Sequence, residues 1–322
     1  MKSIIILVMT FTIGHIALAQ DSTGFDIPIK NWNMKVVGLN TFYPAYLADP
    51  LGARFEVSSQ ALSYSDIDML DPINTEEGGY KGKLVIFPSV RISLFKFTPK
   101  SNPNIGIEAD LGVTLPIFMR AGNHDVIGVD GIYYFAIAGK PTEWLAFRFS
   151  KHHICTHIGD EYSTAGITSV IDFDPNITRL PVRDDFIFST AVRPLHFLKN
   201  PKWDILQVYG EIGFFFPGVD FLGTRQNKSN RNAYMNYQGG VELEYYFKNK
   251  YFGGVYSAIN VSTYQLNAYS PNVSINAGYV LPQDRFKRKL RMGINYYNGR
   301  SLSNQFYYRK EKFVAFSLAM DI

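Results

Sequence analysis

The last ten residues, Phe313 to Ile322, constrain the fold more than any other stretch. Val314, Phe316, Leu318, Met320 and Ile322 are apolar, and the positions between them are mostly small or polar. A strict period of two commits a segment to extended backbone, with one face in an apolar medium and the other elsewhere. Alternation that runs to an apolar final residue is what the closing strand of an outer-membrane β-barrel requires. The expected fold is therefore all-β, an antiparallel transmembrane barrel.

Composition agrees. Of the 322 residues, 15% are aromatic, with 21 Tyr and 25 Phe, and only 19% are charged. Soluble domains carry about a quarter charged residues, whereas a sheet that meets both lipid and water needs fewer. A soluble β-sandwich or lipocalin-like protein could also alternate, but its charged face would look outward. Beyond the N-terminal stretch no run of eighteen apolar residues occurs, which excludes a helical membrane protein. Cys155 is the single cysteine, so no internal disulfide can form. The sequons at Asn176, Asn227, Asn260 and Asn272 read as chance, since Asn260 falls inside a predicted strand.

Residues 1–19 read as a signal peptide. Lys2 gives the positive start, Ile4 to Ile16 an apolar core, and Ala17-Leu18-Ala19 a cleavage pattern before Gln20. Residues 20–50 show no clear alternation and are expected to be a periplasmic segment. Residues 51–322 carry about twelve alternating segments: 53–63, 83–97, 104–118, 129–139, 143–154, 185–195, 203–216, 236–248, 251–264, 272–281, 288–298 and 312–322. Their connections alternate between short and long, which predicts short periplasmic turns and longer extracellular loops.

Facing follows from the alternation. Between Asn104 and Phe118, Ile105, Ile107, Leu111, Val113, Leu115 and Ile117 share one face, and Glu108 and Asp110 the other. Between Asn236 and Phe247, Val241, Leu243, Tyr245 and Phe247 face lipid, while Glu242 and Glu244 point inward. The same reading sends Glu56, Arg91, Arg148, Arg193, Glu211, Arg291 and Asp321 into the lumen. A charge on the lipid face would cost about 2–4 kcal/mol at mid-bilayer. The mixed signs of these groups argue for a salt-bridged filling rather than a strongly ion-selective pore.

One stretch stands apart, His152-His153-Ile154-Cys155-Thr156-His157-Ile158-Gly159-Asp160-Glu161-Tyr162, which holds half of the six histidines. It is expected to leave the fifth strand and enter the longest loop. His153, His157, Asp160 and Glu161 are the candidate catalytic groups, with a histidine as base and a carboxylate to orient it. His152, Cys155, Thr156 and Tyr162 join the inward charges as candidate ligand-binding or lumen residues. The same groups could instead form a hydrogen-bonded plug. As metal ligands their spacing is unspecific outside a helix, and neither metal nor cofactor is expected.

The stretch resembles the H-x-S-S-H-L-G-D-E-Y signature of the DUF1207 family of uncharacterised bacterial outer-membrane proteins. Three further places are similar to that family: Tyr43-Pro44 with Ala48-Asp49-Pro50; Tyr237 to Glu242; and Tyr297 to Ser301 with Gln305, Phe306 and Arg309. Cys155-Thr156 replaces the family's Ser-Ser pair, and Ile158 its Leu. The resemblance implies an outer-membrane barrel and no particular activity. The functions expected are binding or transport of a small molecule or lipid, envelope-lipid hydrolysis at the extracellular rim, or a structural barrel without ligand. Expected partners are outer-membrane lipids, with the basic stretches Arg225–Arg231 and Arg309–Lys312 near lipopolysaccharide phosphates, and the barrel-assembly machinery at the closing strand. Dispersed basic residues give no basis for nucleic-acid binding.

Overall fold

The computed structural model describes residues 24–65, 82–121, 124–159, 182–198, 206–217, 233–282, 289–307 and 309–321. Asp160, Glu161, Tyr162, Ile322, the signal-peptide region and the basic stretch 225–231 lie outside the described residues. Among those described, helix is confined to single 3-10 turns, and no helix is long and apolar enough to cross a membrane.

Sixteen strand segments form one antiparallel sheet: β1 (Phe25–Ile29), β2 (Trp32–Gly38), β3 (Arg54–Ser65), β4 (Gly82–Phe87), β5 (Ser89–Pro99), β6 (Gly106–Thr114), β7 (Ile117–Arg120), β8 (Val126–Thr142), β9 (Leu145–Ile158), β10 (Val182–Val192), β11 (Leu206–Pro217), β12 (Tyr234–Tyr246), β13 (Gly254–Tyr264), β14 (Asn272–Val280), β15 (Leu290–Arg300) and β16 (Lys310–Asp321). β4 and β5 continue one another, as do β6 and β7, so the wall has twelve strands. β16 pairs with β3, from Asp321 opposite Arg54 to Glu311 opposite Ser65, and that pairing closes the barrel.

The two interrupted strands break at Pro88 and Pro116, side by side in the wall. Proline has no N–H to give the ladder. The wall stays bonded across the break because the Leu115 N–H donates to the Pro88 carbonyl at 2.9 Å and the Asp130 N–H to the Pro116 carbonyl at 3.0 Å. Leu94 is the extra residue of a bulge in β5, which reverses the alternation beyond it. Lys96 thereby points inward, 3.4 Å from the Glu108 carboxylate, and not into lipid.

The expected facing holds. Ile107 and Phe316 are 58% and 59% exposed on the outer wall, while Glu108 and Asp110 are 1% and 0% exposed inside. Glycines let large inward rings lie flat against the next strand. A side chain on Gly112 would meet the Tyr134 ring at 2.1 Å, and one on Gly240 would meet Tyr209 at 2.3 Å. Each glycine is the register partner of its tyrosine.

Residues 24–50, the described part of the expected periplasmic segment, depart from expectation. β1 and β2 form a hairpin whose second strand pairs with β5, with the Lys100 N–H donating to the Asn31 carbonyl at 3.0 Å. Their alternation is only five and seven residues long, too short to stand out in sequence. Phe42, Tyr43, Tyr46, Leu47 and Ala48 are buried inside the barrel and not in the periplasm. The chain from Leu39 to Ala53 is a strap across the lumen before it turns into β3.

Substituting Gly112 by Ala is expected to overpack Tyr134 and cost about 1–3 kcal/mol. Gly139 has nothing within 4 Å of its would-be side chain and serves as the control. The temperature at which the folded band disappears in heat-modifiability gels should fall for Gly112→Ala and stay put for Gly139→Ala.

Candidate functional site: the strapped lumen

The strap carries peptide groups through a barrel interior, and each buried one needs a partner. Polar side chains of the wall supply them. The Phe42 N–H donates to Glu108 Oε1 at 2.5 Å, and the Leu47 N–H to the Glu242 carboxylate on the far wall. Arg91 Nη1 donates to the Tyr43 carbonyl at 2.7 Å, Asn276 Nδ2 to the Leu47 carbonyl at 3.1 Å, and Arg54 Nη1 to the Asp49 carbonyl at 2.6 Å. Side chains complete the seal. Tyr46 stacks on Tyr209 with centroids 3.6 Å apart, shares a hydrogen bond with Tyr43, and donates to Glu211 Oε1 at 2.8 Å.

Two cavities flank the strap, and Tyr43 to Ala45 line both. The inner one, about 470 Å³, lies at the rim of short turns and is bordered by Glu242, Glu244, Lys289, Arg291 and Asp321. Its charges are matched: Lys289 and Arg291 pair with Glu244, and Arg291 grips Asp321 with both terminal nitrogens. The outer cavity, about 170 Å³, faces the rim of longer connections and is bordered by Tyr134, Arg148, His152, Arg183 and Glu211.

The turn between β15 and β16 folds into that outer rim. Asn304 donates to Asp130 Oδ2 through its N–H at 2.8 Å and its side-chain amide at 3.1 Å. Thr156 donates to Gln305 Oε1 at 3.0 Å, and Leu302 and Phe306 bury against Val85, Phe87, Phe118 and Tyr297. Thus four stretches scattered in sequence border one outer cavity: the strap, Gln238 of β12, Asn304 of the β15–β16 turn and His152 of β9.

Of the candidate residues, Arg91, Glu108, Asp110, Arg148, His152, Glu211, Glu242, Glu244 and Arg291 project inward on their strands, and so does Thr156, which the sequence places in the loop. Arg193 follows the last residue of β10 and is exposed, beside the inner cavity. The signature itself requires correction. β9 runs through Ile158, so its histidines belong to a strand and alternate in facing. His152 points inward, with Nε2 2.9 Å from Ser150 Oγ and its ring 5.1 Å from Tyr134.

His153, Cys155 and His157 lie on the outer face, beyond the point where the apolar belt of Phe147 and Phe149 gives way to Lys151. Cys155 is therefore not a lumen residue. His153 Nδ1 sits 3.0 Å from Asp184 Oδ1 on β10, and both side chains are well exposed. Cys155 Sγ is directed the other way, 3.8 Å from the Gly131 carbonyl on β8, so no thiol–imidazole pair is formed. Asp160, Glu161 and Tyr162 lie outside the described residues, and among the described residues no group of three metal-ligating side chains occurs.

Comparison with known proteins places the fold. No family model matches the chain, and no curated protein matches it in sequence. The outer-membrane phospholipase of Salmonella typhi, a dimer with bound calcium, superposes with a TM-score of 0.51 at 10% identity, covering 87% of this chain and 95% of that one. An active-site mutant of outer-membrane phospholipase A from Escherichia coli gives 0.50 at 11% identity, covering 88% and 93%. At these identities the likeness is one of fold alone. The chain is an outer-membrane β-barrel, twelve-stranded and crossed by its own strap.

Removing a strap anchor should loosen the strap. Glu242→Ala leaves the Leu47 N–H and Gln207 Nε2 without this acceptor, at an expected cost of about 1–3 kcal/mol. Limited proteolysis of the folded barrel in detergent should then cut within residues 39–53 faster than in the unaltered protein. The exposed Glu143, held by Asn102 on a turn, should tolerate Ala without change.

Proposed function

We propose that this barrel binds a small polar molecule in its outer cavity and is closed to free diffusion. The observation that carries this reading is the strap, joined to the wall at both ends and hydrogen-bonded to opposite sides of the lumen. A diffusion pore needs a continuous wet path, and here aromatic rings and paired charges fill the middle. What remains on the outer side is a concave, aromatic-lined cavity with a few polar groups, the usual form of a small-molecule site. In this reading residues 1–19 direct export, the closing strand engages the assembly machinery, and the chain takes its place beside the DUF1207 proteins its signature resembles.

Planar-bilayer recording tests the closed state. The unaltered protein should give no discrete conductance steps, while replacing residues 40–52 by a Gly-Ser linker of equal length should produce them. Steps from the unaltered protein would overturn the closed reading. Binding is tested by the unfolding temperature in detergent across a panel of small solutes graded by charge. At least one class should raise it in a saturable way, and a flat response to the whole panel would count against a ligand.

A further inference from the structure

We propose that the outer cavity takes a small organic carboxylate carrying a ring, with Arg148 as its anchor. The proposal rests on the binding reading above and names its ligand class. Among the described residues four inward cations are held by carboxylates: Arg54 by Glu56, Lys83 by Glu311, Arg183 by Asp185 at 3.3 Å, and Arg291 by Asp321. Arg91 holds Asp110 at 3.2 Å and also the strap carbonyl of Tyr43.

Arg148 is less well served. Among the described residues its ion-pair partner is Asp110, which lies 3.8 Å away and is already bound by Arg91 at 3.2 Å. Its Nε and Nη2 are buried with no hydrogen-bond partner among the described residues. The nearby Glu211 is occupied by Tyr46 and Ser189, both at 2.8 Å. A buried guanidinium short of acceptors is costly, and an arriving oxyanion would relieve that cost.

Geometry selects the class. Arg148 lies over the Tyr134 ring at 4.2 Å, and His152 stacks on the same ring at 5.1 Å, so the fork is held beside flat aromatic surface. Gly112 makes that arrangement possible by leaving room for the ring. One uncommitted guanidinium suits one negative charge, and its planar fork matches a carboxylate. A phosphate dianion would call for a second free cation. The cavity, about 170 Å³, has room for about six waters at ~30 Å³ each, or for a single ring with its carboxylate.

The test uses full-length protein folded in detergent micelles and fluorine NMR of 4-fluorobenzoate, with 4-fluorobenzyl alcohol, 4-fluorobenzylamine and inorganic phosphate as comparisons. The fluorobenzoate signal should broaden saturably, and phosphate should not compete. Arg148→Gln should weaken binding about tenfold or more, the equivalent of one lost charge-assisted hydrogen bond. Arg148→Lys keeps the charge but not the fork, and should weaken it too should the Gln variant not fold. Arg193→Gln, at the other rim, should bind like the unaltered protein. Equal affinity in the Arg148 variants, or alcohol binding as tightly as acid, would overturn the proposal. If the alcohol or amine binds and the acid does not, the ligand class is wrong while the cavity remains a binding site. If none of the three binds and the solute panel is flat, both readings fall.

Discussion

Two carboxylates on opposite walls, Glu108 and Glu242, accept backbone N–H groups from one strap. Much of the remaining lumen is arranged around these contacts. Irregular backbone at membrane depth persists only where its polar groups are satisfied by protein or water. Here the wall satisfies them, and several of the wall groups that do so are themselves paired with an opposite charge. Glu108 faces Lys96, whose inward direction depends on the bulge at Leu94. Arg91, which holds Tyr43, is balanced by Asp110. A chain of such matches runs round the barrel, and at Arg148 it comes up one acceptor short.

The protein shares a barrel fold with the outer-membrane phospholipases. That likeness is one of fold, since a closed barrel satisfies every backbone polar group in a bilayer irrespective of chemistry. The outer-wall groups that could suggest hydrolysis are His153, Asp184 and Cys155. The first two meet at 3.0 Å, but the thiol turns toward β8.

The wall was legible in sequence because lipid on one side and charge on the other penalise every misplaced residue, as with Ile107 against Glu108. Closure through β16 was legible for the same reason. The strap was not, since irregular backbone leaves no period to detect and its partners come from strands remote in sequence, as Asn276 does for Leu47. The alternation alone ends the fifth strand at Ile154 and leaves Cys155 to His157 to the loop, whereas β9 runs to Ile158. A strand that extends past the apolar belt loses the oil-facing residues by which alternation is recognised, and here the outward positions beyond Ile154 are Cys155 and His157. Arg183 and Asp185 went unnoticed in the predicted loop-to-strand transition for that reason too.

The strap also couples two events in the folding of the chain. Residue 53 leads directly into β3, and β3 is the strand on which β16 closes. The pairing that closes the wall therefore joins residues about 250 positions apart, and it encloses a segment that crosses the interior. Contacts of such long range impose a large loop-closure cost before they return any stabilisation. An open twelve-stranded sheet with its strap outside would have nowhere to place Glu108, Glu242 and Arg91. Closure of the seam and enclosure of the strap are thus tied to one another by the topology of the chain.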